Sequence, residues 1–391
     1  MTIGSEIGLD DLETDPNPIL ARMRQEEPIC FVESMDMWLV TRWDDVQYVE
    51  DHPELFTAAT EPSFLARTLG VNMLTLDPPQ HTRIKEAMLP PFQPGGYSGT
   101  YARDMLPVVC DELIDGFVDI GEVDLMEAYA APVSTISLKT VLGLDNVTWG
   151  QLWAWCEGLI TDLANFEDDP ELKAVGERTK AELGAALQER MVHLRAVPDG
   201  TALSHMLLES GRGTISEEEI VNNVRLMISG GINEPRDGIG LATWVLLSDR
   251  DLLAEVEANP RLWPRLVEEV FRLSSPVGTI TRMATEDVSL GGMTISRGAL
   301  VAGVLRSANL DQGHWKQPER FDLHRREGQH AAFALGVHRC LGEWLGRQEV
   351  RVGTQKLFER LPGLRLHPDE RVELHGFEFR GPRSLRVVWD L

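Results

Sequence analysis

The chain has 391 residues, 43% of them apolar, and 62 acidic against 37 basic residues give it a formal net charge of −25. Such a composition supplies a large core, and the negative surface argues against nucleic acid as a partner. The longest uncharged apolar stretch, residues 239–247, falls far short of the roughly 18 residues a membrane span requires. The opening residues show no charged-then-apolar signal pattern. Four cysteines, Cys30, Cys110, Cys156 and Cys340, lie scattered without paired spacing. That pattern predicts free thiols and a cytoplasmic location rather than a disulfide framework.

Helical periodicity dominates, and the strand-like stretches are short: residues 37–41, 277–282, 288–295, 300–305 and 385–389. The expected fold class is mainly α, a large helical body beside small β-sheets. Residues 57–75 read as a loop-rich segment ahead of a helix in Asp77-Pro78-Pro79-Gln80-His81-Thr82-Arg83-Ile84-Lys85, where His81 and Lys85 share one face. Asn165-Phe166-Glu167-Asp168-Asp169-Pro170 marks another break. A long helix is expected to open at Ser216, with Glu219 completing a capping box. It carries Gly230-Gly231-Ile232-Asn233-Glu234-Pro235. Adjacent glycines weaken a helix by about 1 kcal/mol each, and Pro235 lacks the N–H that would bond the Gly231 carbonyl. A local bulge is the expected result. Glu269 and Arg272 stand three apart, on one helical face, ahead of Pro318-Glu319-Arg320-Phe321-Asp322.

The run Phe333-Ala334-Leu335-Gly336-Val337-His338-Arg339-Cys340-Leu341-Gly342 resembles the cysteine signature of the cytochrome P450 family. Three further segments, in the family's order, extend the resemblance from about residue 20 to 389. It implies one haem domain over residues 1–391, with haem b as cofactor and Cys340 as the axial thiolate ligand of the iron. Glycines around such a cysteine let the backbone approach the macrocycle, and backbone N–H groups tune the sulfur. His81, Lys85, Arg282 and His338 match the family's propionate partners, and Gly231, Phe333 and Gly342 would also line the haem. Glu269 and Arg272 match a buried pair that locks onto the 318–322 segment, with Arg320 completing the network. Arg83, Lys85, Arg339 and Arg347 form a basic group on the expected proximal side, suited to an acidic electron donor.

The oxygen pocket departs from the family pattern, which ends in an acid followed by threonine; here Asn233 precedes Glu234. Glu234 is expected to hold its proton tightly and act as general acid, with Asn233 orienting it or a water. The Asn-Glu-Pro variant and Phe377-Glu378-Phe379-Arg380-Gly381-Pro382 resemble the branch that holds aromatic O-demethylases and the haem domains of self-sufficient fused members. Phe64, Phe166 and Phe379 would then clamp a flat ring, with Leu226, Gly230, Val277 and Ile280 completing an apolar wall. The implied activity is O2-dependent hydroxylation or O-demethylation of a small, guaiacol-like aromatic. Electrons would come from an NAD(P)H-dependent flavin and iron–sulfur reductase or a ferredoxin. Alternatives are oxidation of a terpene or macrolide-type metabolite, peroxide-driven turnover, or a non-enzymatic haem or gas-binding role.

Overall fold

The computed structural model describes residues 2–391. The helices that position the site are α1 (Trp43–Asp51), α2 (Phe64–Leu69), α3 (Gln80–Met88), α4 (Trp149–Leu163), α5 (Pro170–Ala196), α6 (Glu217–Ser229), α7 (Asn233–Ser248), α8 (Trp263–Ser274) and α9 (Glu343–Arg360). Among them α7 lies against α8 and α9, and α4 against α5 and α6. The approach is close: a Cβ on Gly238 of α7 would stand 2.5 Å from the Val350 side chain of α9.

Beside this body lies a five-stranded sheet. Its strands are β1 (Ile29–Val32), β2 (Met37–Val40), β3 (Phe56–Thr57), β4 (Thr279–Ala284) and β5 (Leu300–Val304), in the order β1-β2-β5-β4-β3. The β2–β5 pair is parallel and the other pairs are antiparallel. One face packs on α1 through Val46, Val49 and Val301, and residues of the other face join an N-terminal apolar cluster with Leu39, Ala302 and Phe377. Smaller sheets pair Glu122–Asp124 and Arg365–Leu366 with Arg386–Val388, and Leu374–His375 with Gly381–Pro382. The stretch expected as one strand at 288–295 is a hairpin. Gly291 and Gly292, both at positive φ, turn the chain between Val288–Leu290 and Met293–Ile295.

The expected long helix from Ser216 is two helices. Ser216 caps the first as predicted, accepting from the Glu219 N–H at 3.1 Å while Glu219 accepts from the Ser216 N–H at 2.7 Å. The ladder stops at Ser229 and resumes at Asn233. Gly231 is required by its own chain, since a Cβ there would meet the Met227 carbonyl oxygen at 2.5 Å. The bulge anticipated from Gly-Gly and Pro235 is thus a full interruption of the helix.

Glu269 and Arg272 form the expected buried pair, with two nitrogens of Arg272 donating to the carboxylate at 2.8 Å. The guanidinium that completes the network belongs to Arg325, whose Nε donates to Glu269 at 2.9 Å. Arg320 supplies only its carbonyl, which accepts from Arg325 at 2.9 Å, while its own side chain is exposed. Gln317, in the left-handed region at φ 45°, turns this segment so that the carbonyls of Lys316, Gln317 and Arg320 converge on Arg325. Removing one partner of a buried pair strands the other charge, so Arg325→Ala should cost roughly 3 kcal/mol. Arg320→Ala should stay within about 0.5 kcal/mol. Denaturant melts of the two variants check the difference.

Candidate functional site

Cys340 ends a tight loop. Its N–H donates to the Phe333 carbonyl at 2.9 Å, and Ala334 and Gly336 adopt positive φ of 59° and 58° to close it. The Phe333 ring is packed between Phe271, 4.9 Å away edge to face, and the Arg347 guanidinium, 4.2 Å above it. The Gly342 N–H is directed at the sulfur. The two glycines serve different ends. Gly342 keeps the space beside the sulfur clear, whereas a Cβ on Gly336 would stand 2.4 Å from the Glu50 carbonyl of α1. Gly336 therefore lets the loop sit on α1, which is not the macrocycle clearance expected of it. Cys340 is exposed by area yet surrounded by protein on all sides, so its sulfur opens into an internal cavity.

Four basic side chains meet at one edge of that loop. The His81 and His338 rings lie 4.2 Å apart. Both are buried, and neither His81 Nδ1 nor the two ring nitrogens of His338 has a hydrogen-bond partner among the described residues. Burial, then the nearby cations Arg282 and Lys85, pull their pKa values down, His81 to about 4 and His338 to about 2. Arg282 reaches them from β4, and its Nη2 lies 2.8 Å from Glu50 Oε1. Glu50 was not anticipated: it sits near the end of α1, wholly buried, and burial raises its pKa to about 7. Lys85 also departs from expectation. Its Nζ donates to the carbonyls of Val337 and Arg339, each at 2.6 Å, so it braces the cysteine loop rather than pointing freely into the cavity. Crowded cations with orphaned ring nitrogens beside a cavity-facing thiol suit a flat anionic group carrying a metal. These residues fit haem.

The basic group on the outer side of the loop is largely neutralised. Arg339 and Arg347 pair with Glu343 at 2.6 and 2.8 Å, Arg347 also pairs with Glu268, and Arg83 pairs with Glu219.

At the helix interruption, Glu234 lies in the first turn of α7, surrounded by protein, and its Oε2 lacks a partner. Burial dominates and raises its pKa to about 7, with its own backbone N–H opposing, Asp237 adding and Arg236 opposing. Asn233 does not hydrogen-bond to Glu234. Its Nδ2 donates to Cys156 Sγ of α4 at 3.8 Å, and its Oδ1 is unpartnered. The expected Asn233–Glu234 contact is replaced by a link between α7 and α4.

Phe64 of α2 and Phe166 of the α4–α5 break, remote in sequence, meet edge to face at 5.0 Å. Arg67 pins them: its guanidinium sits 4.8 Å over Phe64 and donates to Asp168, the Asn165 carbonyl and the Asp162 carbonyl at 2.8, 2.9 and 3.2 Å. Phe379 lies on a separate segment bridged to Val277 and is 46% exposed, with no ring contact to the Phe64–Phe166 pair among the described residues. Leu226, Val277 and Ile280 are half-buried and Gly230 is exposed.

The family model for cytochrome P450 matches residues 261–373, which include the Glu269–Arg272 pair and the cysteine loop. The cytochrome P450 monooxygenase PikC of Streptomyces venezuelae is 31% identical, over 97% of this chain and 92% of its own length. The chain belongs to the cytochrome P450 family. The linalool 8-monooxygenase of Pseudomonas putida is 29% identical over 95% of each P450. The crystal structure of CalO2 superposes with a TM-score of 0.87 at 27% identity, covering 98% of both chains. The mainly α P450 fold and the haem cofactor expected from the sequence are borne out. Among the described residues no helix is long and apolar enough to cross a membrane.

Arg282→Leu should fail to yield stable protein, because it leaves Glu50 buried without its counterion, a loss of roughly 3–5 kcal/mol. The double variant Glu50→Gln/Arg282→Leu should recover folding by circular dichroism but retain less haem, read as Soret absorbance per protein.

Proposed function

We propose that this P450 is one haem domain, residues 1–391, that O-demethylates or hydroxylates a small methoxyaromatic substrate. Cytochrome P450s are monooxygenases that use O2 and redox partners. Haem, when bound, would activate dioxygen with two electrons from the redox partner and two protons, one oxygen atom entering a substrate C–H bond and the other leaving as water. Cys340 would hold the iron, and its loop, braced by Lys85 and seated on α1, fixes the sulfur in place. His81, His338 and Arg282 would bind the propionates. The Gly342 N–H tunes the sulfur, while Phe333 packs the loop's inner wall. Electrons would arrive from an NAD(P)H-dependent flavin and iron–sulfur reductase or a ferredoxin.

Glu234 holds a proton near neutrality at the break between α6 and α7, in the position where the family places its acid–alcohol pair. It would deliver that proton from Oε2 toward the cavity, and Asn233 fixes the start of α7 through Cys156. The Phe64–Phe166 contact, pinned by Arg67, is the observation that carries the aromatic reading. Edge-to-face rings offer a planar substrate the geometry it prefers, worth about 0.5–1.5 kcal/mol per ring beyond area burial. Oxidation of a methoxy carbon in such a clamp releases formaldehyde and leaves a phenol. The second reading, a terpene substrate, is favoured by the likeness to the linalool enzyme.

Titration of the ferric holoenzyme with guaiacol, methoxybenzoates and linalool, followed at the Soret band, separates the two. A saturable spin-state shift with a methoxyaromatic and formaldehyde release on turnover support the first reading; a shift with linalool alone overturns it. Product formed per NAD(P)H should be highest below about pH 7 and fall as pH rises, because the raised Glu234 pKa keeps the acid protonated only below that point. Glu234→Gln should lower this coupling and flatten its pH dependence without loss of haem.

A further inference from the structure

Glu378 directly precedes Phe379. Its carbonyl accepts the Gly278 N–H at 2.7 Å, and the next residue bridges to Val277, which sets Glu378 against the start of β4, the strand that carries Arg282. Like Cys340, it has substantial accessible area yet is surrounded by protein, so its carboxyl group opens into an internal cavity rather than bulk solvent. Thr279, itself buried, donates its hydroxyl to Glu378 Oε2.

No cation meets this carboxyl group among the described residues. Arg306 lies nearby, but its Nη1, Nη2 and Nε donate to the carbonyls of Phe377, Ser275 and Ser274 at 2.9, 2.9 and 3.3 Å. Glu13, the other charged group in range, repels it, and burial raises the Glu378 pKa to about 7. A carboxyl group enclosed with one hydroxyl partner keeps unused acceptor capacity, and leaving that capacity unmet inside protein is costly. A hydrogen-bond donor on the substrate would meet it. A hydroxyl suits the place better than an ammonium, because a further enclosed charge would have to be desolvated.

We propose that Glu378, held by Thr279, is the polar anchor of the substrate pocket and accepts a hydrogen bond from a substrate hydroxyl, while Phe379 beside it packs on the apolar skeleton. This rests on the pocket assigned above, and it holds for a phenol or an alcohol alike.

The test uses matched pairs on ferric holoenzyme, guaiacol against 1,2-dimethoxybenzene and linalool against its methyl ether, with Kd read from the Soret shift and from calorimetry. Wild type should favour the hydroxyl member of a pair by roughly tenfold or more, the range for a hydrogen bond to a carboxyl group. Glu378→Leu should abolish that preference by weakening only the hydroxyl ligand, and Thr279→Val should reduce it. Glu378→Gln, which keeps an acceptor oxygen, should retain most of it and serves if the leucine variant takes up no haem. Equal affinities in wild type, or a preference that survives in Glu378→Leu, overturn the proposal. Tighter binding of 2-methoxybenzylamine than of guaiacol, lost in Glu378→Leu, also overturns it by showing an amine site. Discrimination within the linalool pair when neither aromatic binds upholds the anchor while rejecting the aromatic reading.

Discussion

The Glu50–Arg282 ion pair ties together the parts on which the haem site depends. Glu50 reaches from the end of α1 to strand β4, and its own carbonyl is the surface on which Gly336 seats the cysteine loop. One buried residue thereby references the sheet, α1 and the loop to each other. Pairing two charges away from water gains little net stability, so its value is positional. Arg282 is held beside His81 and His338 before any anion arrives. Burial and the same neighbouring cations hold both histidines below their usual pKa.

The interrupted helix is the second constraint. A continuous helix from Ser216 to Ser248 would spend its backbone groups on itself. The break at residues 230–232 frees the start of α7, and Glu234 stands in that first turn without a partner for Oε2. The terminus is steadied from outside by Asn233 against Cys156, which lets a glycine-rich stretch keep a defined shape.

Features written in one short stretch of residue types were legible in the sequence. The cysteine loop, the Ser216 capping box, the Glu269–Arg272 pair and the Gly-Gly/Pro235 interruption belong to this class, because each depends on backbone chemistry or helical spacing within a few residues. Partnerships made by folding were not legible. Glu50 and Arg282 lie 232 residues apart, and no local pattern distinguishes Glu50 from the many acids of this chain. Choosing Arg325 over Arg320 required the turn at Gln317, whose left-handed backbone no glycine or asparagine announces. Lys85 was placed on a helix face beside the cysteine loop, but its two bonds to the loop carbonyls, made across 252 and 254 residues, were not legible. Two-residue strands such as Phe56–Thr57 are too short to show alternation.

The Arg67 clasp sets a timescale as well as a shape. Of its three acceptors, only Asp168 is charged, and that side chain is 77% exposed, so dissolved salt weakens this one bond. The other two are backbone carbonyls in the last turn of α4 and in the break that follows it, which ions scarcely touch. Parting Phe64 from Phe166 thus demands rupture of contacts indifferent to ionic strength, together with loss of their edge-to-face contact. Separation of these two segments should therefore be governed by hydrogen-bond breakage and apolar exposure, and hold steady across media that differ widely in salt.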